Sequence, residues 1–332
     1  MPKSKHLLRW GLLSTARINR ALIPAIQLSK RSTLLAVGSR DQVKAREFAH
    51  KWEIPRIHAS YEELLADKDI DVIYNPLPNS LHAEWSIRAA KAGKHVLCEK
   101  PLATSLSDVD AMQAASLETG KIIAEAFMYR HHPQTIQVKE MIAAGMIDKV
   151  QLLRGAFAYQ ATRPADVRME PSLGGGSIWD VGCYPISYFR YLAGAEPEEV
   201  FGWQSLGPTG IDLQFTGQLR FPGEIYAHFH SSFVSQPNQF IEIVGSQGII
   251  TVPQPFIPKQ REKLLLRQGD LTQVIHPKGA DLYLGEVVDI EDSILNGLPS
   301  RISLADSKNN IATILALLES ARTGKPVNPA LM

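Results

Sequence analysis

Lys100 stands between Glu99 and Pro101, directly after the strand-like run Lys94-His95-Val96-Leu97-Cys98. Nucleotide-binding β/α domains present their chemistry at the carboxyl ends of strands, where a lysine ammonium can polarise a substrate oxygen. A Lys-Pro turn on a surface has the same sequence, so the tripeptide needs partners. Asp180 and Tyr184, within Trp179-Asp180-Val181-Gly182-Cys183-Tyr184, supply a second constellation. On a helix, that spacing puts both side chains on one face, about one turn apart. Gly174, Gly175 and Gly176 precede them and let the backbone come close to a ligand. Removing hydride from a carbinol carbon requires a base for the hydroxyl proton. A phenol with a pKa of about 10 is a poor base unless a neighbouring ammonium, such as that of Lys100, favours the phenolate. Asp180 would orient the lysine or bind a second substrate hydroxyl. The same pattern also suits a helix with one buried tyrosine and an acid near its positive end.

The elements that would position these groups alternate in the first half. Leu7–Leu13, Thr33–Val37, Asp71–Tyr74, Lys94–Cys98 and Ile122–Ala126 read as strands. Helical stretches between them run to Leu28, from Asp41 to Lys51, from Ser80 to Ala92 and near Ser107–Thr119. Asp41 is a cap and Gly93 a stop. This alternation predicts right-handed β-α-β crossovers on a parallel sheet, a doubly wound dinucleotide-binding pattern. The turn after the first strand departs from Gly-x-Gly-x-x-Gly, because Ser14, Ala16 and Asn19 hold the glycine positions. In Ser14-Thr15-Ala16-Arg17-Ile18 the small residues still admit a pyrophosphate, and the next helix still offers N–H donors. At the end of the second strand, an acid would bind the ribose 2′-hydroxyl of NAD and repel a 2′-phosphate. Ser39 and Arg40 stand there instead, with Lys44 one helical turn on. A hydroxyl and a guanidinium suit a phosphate, so NADP(H) is expected over NAD(H). An exposed arginine at a helix start is the plainer alternative.

From about Met128 the pattern changes. His131–Gly145 reads as a helix, Val150–Ala161 as a long strand, and the triple glycine leads into a helix near Ile178–Leu192. Strand-like runs then follow one another from Val200 to His276, which predicts a mostly antiparallel sheet. Asp281–Asn296 and Ser303–Thr323 read as closing helices. The expectation is α/β: a Rossmann domain over 1–127, then an α+β domain over 128–332 for substrate and oligomer contacts. The C-terminal helices are free to pack back on the first domain. Thirty-five basic residues against 34 acidic ones give no footing for nucleic acid or an anionic membrane surface. Arg9 interrupts the first apolar run, no small-residue cleavage site follows, and no uncharged apolar stretch is long enough to span a bilayer. Cys98 and Cys183 make neither a disulfide framework nor a zinc spacing, so a reducing cytoplasm is expected.

Taken together, the motifs resemble the glucose–fructose oxidoreductase/inositol dehydrogenase family, and within it the dihydrodiol dehydrogenase and NADP-dependent D-xylose dehydrogenase branch. The resemblance rests on Gly11-Leu12-Leu13-Ser14-Thr15-Ala16-Arg17-Ile18, Pro76-Leu77-Pro78-Asn79-Ser80-Leu81-His82 and Ala92–Leu102. It extends to Glu125–Gln134 and Gly174–Pro185. It implies a Rossmann domain followed by an open antiparallel sheet that serves a homodimer or homotetramer. It also implies that Lys100 is the catalytic lysine, that Asp180 and Tyr184 face substrate, and that the phenol acts as acid and base. Many members carry histidine at the place of Tyr184. Pro78, Asn79, His82 and Glu99 are similar to positions lining the nicotinamide end of the cofactor, and Pro76 and Leu77 lead into Pro78 and Asn79.

Other candidates have plainer readings. Without the resemblance, His82 caps or decorates a helix. Arg130, His131 and His132 have no acid spaced to complete a metal site, so none is expected. Arg163 and Arg168 read as solvated loop charges, with a reach to substrate as the alternative, and Phe127 and Met128 as core. The expected activity is NADP(H)-dependent hydride transfer at a carbinol or carbonyl carbon of a sugar, polyol or keto-sugar, as in an aldose dehydrogenase. Trans-dihydrodiol oxidation or keto-sugar reduction is the enzymatic alternative. An NADP-sensing regulator or a scaffold is the non-enzymatic one.

Overall fold

Short apolar runs bounded by turns become the strands of a first, wholly parallel sheet. The computed structural model describes residues 7–161 and 166–332; Arg163 lies outside them. Its first elements are β1 (Leu8–Leu13), α1 (Asn19–Leu28), β2 (Ser32–Gly38), α2 (Gln42–Trp52), β3 (Arg56–His58) and α3 (Tyr61–Ala66). They continue as β4 (Val72–Asn75), α4 (His82–Lys91), β5 (His95–Glu99), α5 (Leu106–Thr119) and β6 (Ile123–Ala126). The strand order is β3-β2-β1-β4-β5-β6, with every pair parallel. This is the doubly wound order, whose direction reverses between β1 and β4. Every residue of β4 is buried, as is all of β1 but one position, which is why both read as unbroken apolar runs.

β3 and α3 go beyond the sequence reading. Ser60 caps α3 by accepting the Glu63 N–H at 3.1 Å, and Glu63 reaches back to the Ala59 N–H at 2.8 Å. The Ser-x-x-Glu signature of a helix start was therefore present. Asp41 caps α2 as expected, accepting the Lys44 N–H at 3.1 Å.

The second half gives α6 (Pro133–Ala143), β7 (Val150–Ala158), a π-helical turn over Ile178–Gly182 and α7 (Cys183–Ala193). Strands β8 (Glu199–Leu206), β9 (Asp212–Phe221), β10 (Ile225–Ser232), β11 (Asn238–Gly245), β12 (Ile249–Val252), β13 (Leu264–Gln268) and β14 (Leu271–Ile275) follow. α8 (Leu284–Asn296) and α9 (Leu304–Thr323) close the chain. The sheet order is β14-β13-β12-β11-β7-β10-β9-β8, antiparallel throughout except at β7 and β10. Period-2 alternation marks β9, where Phe215, Leu219 and Phe221 are buried while Thr216, Gln218 and Arg220 are exposed. α7 and the π-helical turn pack on β7 and β10. Among the described residues no helix is long and apolar enough to cross a membrane.

The chain forms two compact units that interleave in sequence. The first takes the described residues up to Met128 together with Tyr283–Ser307, and the second takes Tyr129–Leu282 with Lys308–Met332. α8 therefore belongs to the first unit, where Val287 and Ile290 join Trp10, Leu22, Ile26 and Tyr74 in the apolar core. The buried Glu291 accepts hydrogen bonds from Ser29 and Ser32 and pairs with Arg31 at 3.0 Å.

Candidate active site

Three separate groups capture the backbone around Lys100. The peptide Lys100–Pro101 is cis. The Glu99 carboxylate accepts the Lys100 N–H at 3.3 Å, and Glu125 on β6 accepts the Leu102 N–H at 2.8 Å. His82 on α4 reaches the Pro101 carbonyl through Nδ1 at 2.8 Å. Its Nε2 lies 2.7 Å from the Leu77 carbonyl. The expectation that His82 decorates a helix surface is thus corrected: the ring is fully buried and staples the loops after β4 and β5 together. Burial pushes its pKa down to about 4, and the Lys100 charge acts in the same direction. The Pro76-Leu77-Pro78-Asn79 loop is held further by Asn75, which accepts the Leu77 N–H at 3.3 Å and donates to the His82 carbonyl at 3.1 Å. Beneath Lys100, the Tyr74 hydroxyl donates to Glu99 at 2.5 Å. Burial holds that phenol well above its ordinary pKa, so it stays protonated and keeps donating.

The turn after β1 keeps the shape that glycine usually supplies. Ser14 adopts φ 69°, in the left-handed region. Its carbonyl accepts from Asn19 Nδ2 at 2.9 Å and its hydroxyl from the Ala16 N–H at 3.2 Å. Side-chain and hydroxyl contacts thus stabilise a conformation that costs most non-glycine residues about 1–2 kcal/mol. Ser14 and Thr15 line an open cleft of about 470 Å³ together with Ser39, Arg40, Asp41, Lys44 and Tyr61. Ala16, Arg17 and Ile18 lie in the same turn but outside that lining, and Arg17 is exposed. Lys44 is paired with Asp41 at 2.9 Å. Sequence reading missed Asp41 and Tyr61 as cleft residues. Tyr61 begins the unexpected α3, and Asp41 carried a complete explanation as a cap.

In the second unit, Asp180 lies in the π-helical turn and Tyr184 in the first turn of α7. The Tyr159 hydroxyl and Arg168 Nε both donate to Asp180 Oδ2 at 2.8 Å. Arg168 is exposed, as expected of a loop charge, but its guanidinium is also engaged by Asp180 and, at 3.1 Å, by Asp166. The Asp180 carboxylate raises the Arg168 pKa further, while burial raises that of Tyr159. Tyr184 is 5% exposed. Its ring packs against Tyr129, Phe157 and Phe256 at centroid distances of 5.7, 5.2 and 5.4 Å.

Asp212 on β9 fastens the start of this segment, accepting from Ser177 Oγ at 2.6 Å and the Ile178 N–H at 2.8 Å. Gly176 sits at φ 126°, where an added Cβ would come within 2.3 Å of Asp212 Oδ1. Glycine is required there on both counts. Among the described residues no group of three or more histidine, cysteine, aspartate or glutamate side chains is placed to hold a metal ion.

Residues 8–127 match an oxidoreductase family with an NAD-binding Rossmann fold, which makes the chain an oxidoreductase. Residues 135–251 match the GFO/IDH/MocA C-terminal domain, and the chain belongs to the GFO/IDH/MocA family. It is 34% identical over 325 residues to D-xylose 1-dehydrogenase (NADP(+)) 2 of Haloferax volcanii, covering 96% of this chain and 98% of that one. It is 31% identical over 315 residues to trans-1,2-dihydrobenzene-1,2-diol dehydrogenase of Xenopus tropicalis, covering 90% and 94%. Its structure resembles a 3-ketoreductase from Actinomadura kijaniata solved with NADP and TDP-benzene, with TM-score 0.90, 26% identity and coverage of 95% and 98%.

Proposed function

We propose that the protein is an NADP(H)-dependent oxidoreductase acting at a carbinol or carbonyl carbon of a sugar, polyol or keto-sugar, in the manner of an aldose dehydrogenase. The observation that carries this reading is the capture of Lys100-Pro101-Leu102 by Glu99, His82 and Glu125 at the carboxyl end of β5. A backbone held at three successive residues fixes the point from which the Lys100 side chain reaches a substrate oxygen.

When bound, the nicotinamide gives or takes hydride at its C4. The chain's own groups do the rest. Lys100 donates a hydrogen bond to the reacting oxygen and favours its anionic form. Tyr184, shielded by aromatic rings, carries the proton to and from that oxygen. Asp180, oriented by Tyr159 and Arg168, binds a second substrate hydroxyl. The Ser14–Ile18 turn fits a pyrophosphate because its backbone already follows the glycine path. Ser39 and Arg40 receive the 2′-phosphate, and Lys44, already paired with Asp41, stands at the edge of the same cleft. Pro76, Leu77, Pro78, Asn79, His82 and Glu99 form or brace the nicotinamide end.

The NADP(+) in the name of the xylose dehydrogenase and the NADP bound to the ketoreductase support the cofactor choice. Their substrates, with that of the diol dehydrogenase, keep keto-sugar reduction and trans-diol oxidation as the second reading. We also propose a cytoplasmic homodimer or homotetramer assembled through the outer face of the second sheet. There Trp203 is 54% exposed and Tyr226 51%.

Following NADPH consumption and NADP⁺ reduction over aldoses, polyols, dihydrodiols and keto-sugars tests the substrate class. Lys100→Met should lower kcat roughly 10²–10⁴-fold. Its NADPH affinity, read by fluorescence, should stay near that of the wild type. Near-normal turnover in this variant would remove Lys100 from the mechanism.

A further inference from the structure

The cleft wall around Arg40 is built more elaborately than a surface arginine needs. The Arg40 guanidinium carbon lies 5.9 Å from the centre of the Tyr61 ring. Tyr61 meets Trp85 edge-on at 4.9 Å and 84°. The Arg88 guanidinium covers the Trp85 ring at 3.9 Å and is tied to Glu62 at 2.6 Å and Glu84 at 3.1 Å. The result is a row of cation, ring, ring and cation drawn from the end of β2, α3 and α4. Both rings are buried, Tyr61 to 7% exposure and Trp85 to 8%, so neither swings freely. Arg40 at the open end is exposed. Burial pushes the Tyr61 phenol up, while the Arg40 charge and its contact with the phenol hydroxyl oppose that rise.

The two cations of the cleft are not equivalent. Lys44 is 71% exposed and its ammonium is matched by the Asp41 carboxylate, so the pair is close to neutral toward a ligand. Among the described residues no carboxylate pairs with Arg40. A long arginine left to wander loses rotamer entropy each time it binds, and an aromatic face beneath the guanidinium removes part of that loss in advance. We propose that Tyr61 is the positioning residue for 2′-phosphate selectivity: its ring, fixed by Trp85 and Arg88, holds Arg40 toward the cleft, and Lys44 contributes little. The proposal rests on the NADP(H) reading, with Arg40 as the group that meets the phosphate.

Two probes that differ only in the phosphate separate the possibilities. Calorimetric titration of the full-length protein with 2′,5′-ADP and 5′-ADP should show Arg40→Ala weakening 2′,5′-ADP about ten- to hundredfold, with 5′-ADP little changed. Tyr61→Leu should weaken 2′,5′-ADP about three- to tenfold, again sparing 5′-ADP. Tyr61→Phe, which keeps the ring but loses the hydroxyl's contact with Arg40, should fall between Tyr61→Leu and the wild type for 2′,5′-ADP and spare 5′-ADP, while Lys44→Ala should stay within about twofold of the wild type for both probes. If Tyr61→Leu does not fold, Tyr61→Met fills the same space without a ring and takes its place. Equal losses of both probes in these Tyr61 variants, or no loss of either, overturn the positioning role while leaving the cofactor reading intact. Equal losses of both probes in Arg40→Ala, or no loss, overturn the cofactor reading itself.

Discussion

His82 faces two acceptors with a ring that, when neutral, has only one N–H to give. The Leu77 and Pro101 carbonyls lie 2.7 and 2.8 Å from its two nitrogens, inside a fully buried pocket. Two acceptors favour the doubly protonated ring, whereas burial pushes the pKa down to about 4. Burial dominates, because among the described residues no carboxylate is hydrogen-bonded to the ring, and the ammonium of Lys100 opposes a second positive charge. One N–H therefore binds one carbonyl firmly, and the other nitrogen shares its site with an oxygen. Replacing His82 with leucine leaves the carbonyl that receives this N–H without its donor. The expected cost is about 1–3 kcal/mol in urea unfolding, the penalty of one buried acceptor left unpaired. An unchanged unfolding midpoint would mean that the loops are held by other contacts.

The π-helical turn shows how a small irregularity serves positioning. It begins right after Ser177, where Asp212 gathers two donors, and it carries Asp180 toward Tyr159 and Arg168. Burial pushes the Asp212 carboxyl up to about 6. Near pH 5 the native state holds a proton that the unfolded chain, with an ordinary aspartate, has already released. Stability from this group is therefore full below about pH 4 and is lost as pH rises through 6. The whole change amounts to about 3 kcal/mol. Asp212→Asn keeps an acceptor for Ser177 and Ile178 but no longer titrates. Urea unfolding of both proteins at pH 4 and pH 7 should find the variant gaining on the wild type by about 2–3 kcal/mol at the higher pH. Parallel pH curves would mean that Asp212 ionises alike in both states.

Regular elements of this kind were largely legible beforehand: the five predicted strands of the first sheet, the helices between them, and the strand series from Val200 to His276 all stand. β3 escaped because three residues are too short for any period, and α3 because its cap was overlooked. Lys100, Asp180 and Tyr184 were candidates by type and spacing, and only the resemblance gave them roles. The partners of Asp180 could not be picked out, since Tyr159 and Arg168 come from 21 and 12 residues away along a loop without periodicity.

Interleaving of the two compact units limits how the molecule can be divided. An excised fragment 1–127 lacks α8, so Leu22 and Ile26 of α1 lose Val287 and Ile290, and Arg31, Ser29 and Ser32 lose Glu291. Several apolar side chains and three polar groups would then meet water, at about 1.5–3 kcal/mol for each large aliphatic group. The fragment should show no cooperative thermal transition and should bind a hydrophobic dye. Addition in trans of a peptide spanning 283–307 should partly restore the transition. A fragment that melts sharply by itself would show that α8 is dispensable. The same arrangement also orders events during synthesis. More than 150 residues separate Met128 from Tyr283, so α8 is translated roughly 10–30 s after α1 and the core it joins. Throughout that interval the nascent chain carries an uncovered apolar strip, a site for holding chaperones that vanishes once α8 docks.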